Sequence, residues 1–136
     1  MKALAIDYGE KRVGLAVGDN STGLALPFGV LQRTSDELLL EQLVKVINEE
    51  AIDTVVVGEP LSLSGQATSQ TATCRNFASF LKANLKIAVE MFDERLTSRR
   101  ADMPFQGVKT RSRDELAAMF LLQDYLDLKA RQQPIL

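Results

Sequence analysis

Histidine and tryptophan are absent from this sequence, cysteine occurs once, and the only aromatic residues are six Phe and two Tyr. Without histidine there is no Ser-His-Asp triad, no histidine base for a nuclease and no histidine zinc site. The lone Cys74 has no intrachain partner for a disulfide. It falls at helical spacing with Ala67, Thr71, Ala78 and Leu81, and with no base nearby in kind it reads as a core thiol. So few rings argue against binding by extensive base stacking. No apolar run approaches the roughly 20 residues of a spanning helix, and the N-terminal apolar stretch, broken at Asp7, is too short for a leader. The expectation is a cytoplasmic protein with no membrane partner. A large charge of either sign is lacking too: 16 basic and 18 acidic residues leave a net charge of −2, so nothing global announces a nucleic-acid binder.

What is present is a globular composition, 46% hydrophobic and 25% charged, in a chain of 136 residues that reads as one domain, 1–136. Charge is unevenly spread. Between Arg95 and Arg113 there are six basic residues (Arg95, Arg99, Arg100, Lys109, Arg111, Arg113) and one acid, Asp102, whereas the remainder holds 10 basic and 17 acidic residues. That stretch is the candidate contact for an anionic partner.

The chain is organised around Ala3-Leu4-Ala5-Ile6-Asp7, an apolar run of the kind buried on both faces of a sheet, ending on one carboxylate. The turn Gly9-Glu10-Lys11-Arg12 and the run Val13 to Val17 make an antiparallel hairpin with it. Leu24 to Gln32, interrupted by Pro27, reads as a third strand at an edge. Thr34 with Glu37 has the form of a capping box and predicts a helix from Ser35 to Glu50. Asp53-Thr54-Val55-Val56-Val57-Gly58 is a β-branched strand reached through that helix, hence parallel to a strand already present. If the first three strands form a meander, the open side of strand one receives strand four, which makes the Asp7 strand central. A second helix follows from Ala67 to Ala83, with Ala67, Thr71, Cys74, Ala78 and Leu81 toward the sheet. Ile87 to Phe92 makes a fifth strand, and Leu96 to Gly107 is compatible with a helical start that Met103-Pro104-Phe105-Gln106-Gly107 breaks into what reads as a mobile loop. Ser112 with Glu115 is a second capping box, opening a helix from Arg113 to Ala130. The pattern is α/β: a five-stranded mixed sheet, first three strands antiparallel, strands four and five parallel to strand one, helices on both faces.

Ligands of such sheets gather beyond the carboxyl ends of the parallel strands. Asp7, Asp93 or Glu94, and Asp114 reach that rim, with Glu59 a further candidate. Carboxylates without histidine or cysteine suit Mg²⁺ or Mn²⁺, and two such ions about 4 Å apart can drive phosphodiester hydrolysis. Taken alone, each acid has a plainer reading: Asp7 as a turn acceptor, Asp114 as a charge at a helix N-terminus, Asp93-Glu94-Arg95 as a solvated run, Glu59 as a loop residue.

Four blocks sharpen the choice. Asp7-Tyr8-Gly9-Glu10-Lys11-Arg12-Val13-Gly14-Leu15-Ala16-Val17-Gly18-Asp19, Val56-Val57-Gly58-Glu59-Pro60 with Gly65 and Phe77, Asp93-Glu94-Arg95-Leu96-Thr97, and Asp114-Glu115-Leu116-Ala117-Ala118 together resemble the YqgF family. These are RNase H-like proteins also called RuvX or Holliday-junction-resolvase-like. The resemblance implies an RNase H-like fold and a cytoplasmic nuclease of pre-16S rRNA 5′ maturation, with branched DNA as an alternative substrate. It implies a catalytic, metal-binding triad of Asp7, Glu94 and Asp114, with Asp93 beside it, and puts Arg12 and Arg95 on the family's basic positions, read either as phosphate contacts or as ion pairs with neighbouring carboxylates. The chain departs from the family at Glu59 and at Ser62-Leu63-Ser64. Because related resolvases place an acid at the position of Glu59, the middle carboxylate stays open between Glu59 and Glu94. Two other classes also remain. One is a nucleotide binder, because Asp7-Tyr8-Gly9 resembles the first phosphate loop of actin-like kinases; the other is a non-catalytic RNA-binding assembly factor. The chain reads as a monomer or homodimer.

Overall fold

The computed structural model describes residues 1–94 and 112–132. Along the chain run β1 (Lys2–Tyr8), β2 (Arg12–Asp19), β3 (Leu24–Gln32), α1 (Asp36–Glu49), β4 (Thr54–Glu59), α2 (Ser69–Asn84), β5 (Ala88–Asp93) and α3 (Arg113–Gln132). The strands form one sheet in the order β3-β2-β1-β4-β5. The pairs β1–β2 and β2–β3 are antiparallel, and β1–β4 and β4–β5 are parallel. The Asp7 strand is therefore central, as the crossover argument requires. β3 lies at an edge with Pro27 in it, where a missing N–H interrupts no ladder on its open side.

Alternation along the strands divides the side chains by size. Leu4, Ile6, Tyr8, Val13, Leu15, Val55 and Val57 pack with α1 (Leu39, Leu43, Val46, Ile47) and α2 (Cys74, Phe77, Ala78, Leu81). The opposite face presents Ala3, Ala5, Ala16, Ala25, Val56 and Phe92 to Ala118, Leu121, Leu122, Tyr125 and Leu126 of α3. Helices thus cover both faces, α1 and α2 on one and α3 on the other. No helix among the described residues is long and apolar enough to cross a membrane.

Helix starts differ from the sequence reading in two places. The cap of α1 is Ser35, whose Oγ accepts from the Leu38 N–H at 3.1 Å, rather than Thr34 with Glu37. α2 begins two residues later than its apolar spacing suggests, at Ser69. Thr68 is its cap in a reciprocal box with Thr71, and Ala67 is exposed and bridges to Leu61 instead of facing the sheet. The hydroxyl of Thr68 satisfies an open helix N–H, which Ala67 has no side-chain atom to do. The third box forms as expected: the Ser112 N–H donates to Glu115 Oε1 at 3.0 Å and the Glu115 N–H to Ser112 Oγ at 3.4 Å. α3 then runs past Ala130 to Gln132. The expected loop Leu96–Gly107 lies outside the described residues.

Candidate active site

Asp7 sits one step beyond Ala3 and Ala5 in the alternation of β1, so its carboxylate belongs to the face that α3 covers. Its partner across β2 is Gly14. On the other side Ile6 pairs with Val57, which brings Gly58 alongside Asp7. The acid is thus flanked within the sheet by two residues that have no side chain.

Each gap is filled from elsewhere. A methyl group added at Gly14 would meet the Asp114 carbonyl oxygen at 2.0 Å, so the first turn of α3 lies directly on the β2 backbone. One added at Gly58 would meet Glu94 Oε1 at 2.3 Å, so the Glu94 carboxylate lies over β4. Phe92 packs toward α3 and Glu94 follows two residues later at the end of β5, which returns it to the same side. Asp7, Glu94 and Asp114 come together because glycine leaves room for the second and third acids on either side of the first.

Their electrostatics agree with that proximity. Burial, and then the negative charge of Asp114, push the Asp7 carboxyl up to about 6. Burial, then Asp7, then Asp93, push Glu94 up to about 7. No hydrogen bond reaches the Asp7 carboxylate among the described residues, so nothing offsets its desolvation. Asp114 is different: Arg12 Nε donates to its Oδ2 at 2.8 Å. Among the described residues no three metal-ligating side chains already stand close enough to hold an ion between them. The acids are near enough to repel one another yet not closed into a cage. The donor set itself, all carboxylate oxygen, fits a hard divalent cation such as Mg²⁺ or Mn²⁺.

Tyr8 anchors this arrangement from the opposite face. Its ring stacks on Phe77 at 4.0 Å and carries the Arg33 guanidinium at 4.2 Å. Its hydroxyl donates to Asp36 at 2.8 Å, and its carbonyl accepts from Gln70 Nε2 at 3.1 Å. The side chain after Asp7 is therefore held on every edge. Sequence reading passed over Gly14 and Gly58 as site residues and over Arg33, Asp36 and Gln70 as supports. The glycines had a usable signal, since glycine inside a strand marks close approach of another group; the supports had none, being brought in only by packing.

The other expected residues divide. Glu59 Oε2 accepts from Arg75 Nε of α2 at 2.8 Å, which ties it to the α1 and α2 side of the sheet rather than to Asp7. Asp93 pairs with Glu59 across β4 and β5 and acts on Glu94 through its charge. Arg12 is engaged with Asp114, and Arg113 opens α3 on its exposed side. Arg95, Arg99, Arg100, Lys109 and Arg111 lie outside the described residues. Cys74 is buried, its thiol pushed up to about 12 mainly by that burial, which leaves it inert as a nucleophile. A shallow pocket lined by Phe92, Asp124, Asp127, Leu128 and Arg131 includes none of the three acids.

The family described as RuvX, Holliday junction resolvase, matches residues 1–128 of this chain. A protein of Maridesulfovibrio salexigens with the provisional name pre-16S rRNA nuclease is 37% identical over 132 residues, covering 93% of this chain and 98% of the relative. One of Chloroflexus aggregans, named in the same way, is 38% identical over 137 residues, covering 96% and 95%. Among solved structures, Thermus thermophilus RuvC in complex with a Holliday junction superposes with a TM-score of 0.60 at 15% identity over 94% of this chain and 96% of that one. The fowlpox virus Holliday junction resolvase does so with a TM-score of 0.57 at 15% identity, over 94% and 99%. At that identity the likeness speaks for a shared RNase H-like fold.

Proposed function

From membership of the RuvX Holliday junction resolvase family, to which this chain belongs, we propose that it is a divalent-cation-dependent nuclease that trims the 5′ side of pre-16S rRNA in the cytoplasm. The observation that carries the chemistry is the meeting of Asp7, Glu94 and Asp114 through the gaps at Gly14 and Gly58. Burial first, and their mutual repulsion after it, raise the Asp7 and Glu94 carboxyls, and a bound cation would relieve both. Asp7, Glu94 and Asp114 would hold Mg²⁺ or Mn²⁺, which supplies an activated water and stabilises the departing oxygen at the scissile phosphate.

The chain's own groups do the rest. Asp7 keeps its place because β1 is central and Tyr8 is clamped. Glu94 is preferred to Glu59 as the middle carboxylate, because Glu94 lies over Gly58 beside Asp7 whereas Arg75 draws Glu59 toward α2 on the other face. Arg12 and the basic residues Arg95, Arg99, Arg100, Lys109, Arg111 and Arg113 contact phosphates and bind the backbone without reading bases, so binding weakens steeply with salt. The active form is a monomer or a homodimer.

The test compares wild type with Asp7→Asn on pre-16S rRNA fragments and on a four-way DNA junction, with Mg²⁺ or Mn²⁺ present. Asp7→Asn should melt no lower than wild type and lose cleavage by about 10³-fold or more, as expected when a metal-binding carboxylate is removed. Glu94→Gln should lose more activity than Glu59→Gln. Cleavage by Asp7→Asn at the wild-type rate ends the catalytic reading in favour of an RNA-binding module. Preference for the four-way junction moves the substrate to branched DNA, and tight ATP binding with no cleavage favours the nucleotide-binding class.

A further inference from the structure

Of the three acids at the rim, Asp7 and Glu94 bear raised carboxyls, whereas Asp114 carries a partner, the Arg12 guanidinium at 2.8 Å. The two ends of that pair are held differently. Asp114 is fixed by the seat of α3 on Gly14 and by the reciprocal box between Ser112 and Glu115. The Arg12 backbone is fixed as well, its carbonyl accepting from the Gly9 N–H at 3.0 Å within the β1–β2 turn. Its side chain, however, is 59% exposed against 27% for Asp114, so the guanidinium has more solvent to turn into than the carboxylate has. A cation drawn to the three acids and a substrate phosphate drawn to a basic group therefore compete for the two ends of one ion pair.

We propose that Arg12 is the resident counter-ion of Asp114, and that it couples cation binding to substrate binding by leaving the carboxylate for a phosphate. This rests on the nuclease reading above. While Arg12 holds Asp114, that carboxylate offers less charge to an incoming cation; once a phosphate takes the guanidinium, the third acid is released. The coupling is reciprocal by thermodynamic necessity, so a bound cation must also make Arg12 available to the phosphate. An exposed pair of this kind is weak, which puts the expected coupling at about two- to fivefold in affinity. Arg12 is thus a positioning residue for Asp114 in the free protein and a phosphate ligand in the complex.

The test needs no turnover. Metal-free wild type, Arg12→Gln and Asp7→Asn are titrated with Mn²⁺ alone, with free Mn²⁺ followed by its paramagnetic resonance signal. Arg12→Gln should bind Mn²⁺ about two- to fivefold more tightly than wild type, and Asp7→Asn more weakly. Binding of an RNA duplex is then followed by fluorescence anisotropy, in EDTA and in Ca²⁺. Arg12→Gln should bind RNA like wild type in EDTA and less tightly than wild type in Ca²⁺. Equal or weaker Mn²⁺ binding by Arg12→Gln, or an RNA penalty of the same size with and without cation, overturns the coupling while leaving the nuclease reading intact. Wild type that takes up no Mn²⁺ and cleaves without it overturns that reading itself.

Discussion

The two faces of the sheet are built on opposite plans. On the α1 and α2 side the strands contribute Leu4, Ile6, Tyr8, Leu15, Val55 and Val57, and the helices answer with Leu39, Leu43, Phe77 and Leu81. On the α3 side they contribute Ala3, Ala5, Ala16 and the glycines at 14, 18 and 58. Large residues fill space and generate burial, at about 25 cal/mol per Å² of apolar surface. Small ones let a helix approach until its backbone touches the strand. The first face is where stability is made; the second trades apolar volume for the nearness of Asp7, Glu94 and Asp114.

Replacing a large residue on the packed face should therefore have the greatest effect on stability. Phe77 is buried and stacked between Tyr8 and Phe80, and Phe77→Ala should cost about 3–5 kcal/mol in denaturant unfolding. A loss below about 1 kcal/mol would contradict the division between the faces.

The glycines come next, and they should separate from each other. At Gly14 the obstructing atoms are helix backbone, so Gly14→Ala should cost about 1–3 kcal/mol and displace Asp114 together with α3. At Gly58 the obstruction is the tip of the Glu94 side chain, which can turn aside. Gly58→Ala should then melt within a few degrees of wild type, while cleavage falls on the order of a hundredfold through the misplaced carboxylate. Equal loss of stability at both positions would mean that β4 is as tightly covered as β2.

The last effect is that of pH on the metal-free protein. The folded state holds protons on Asp7 and Glu94 more tightly than the unfolded chain does, because both carboxyls are raised, from 3.8 to about 6 and from 4.5 to about 7. These two groups therefore subtract stability as pH rises from about 4 to about 7, and contribute no further change outside that window. In EDTA, Asp7→Asn should show a smaller fall in melting temperature between pH 5 and pH 8 than wild type. A fall of the same size in both proteins would remove the desolvated acid from the account.

Much of this architecture is legible in the chain itself. The β-branched run Val55-Val56-Val57 and the hairpin spacing around Gly9 imply the strand order, and with it the central position of Asp7. The start of α3 is equally plain, since Ser112 and Glu115 satisfy each other's backbone within one turn. The cap of α1 is harder to read, because Thr34 and Ser35 are both capable and only the path of the chain out of β3 selects between them.

The site shows the same boundary between local and long-range information. Residue types alone exclude histidine and cysteine chemistry and leave carboxylates as the reactive groups, and alternation ranks them along each strand. Whether Glu59 or Glu94 joins Asp7 was open in sequence terms, because parity within a strand does not say which face a distant helix will cover. The docking of α2 ties Glu59 to Arg75, and Glu94 lies in the gap over Gly58. Local rules act over a few residues and so can place an acid at a strand end. The meeting of three acids depends on strand register and helix seating between segments far apart in the chain, and only the folded whole supplies these.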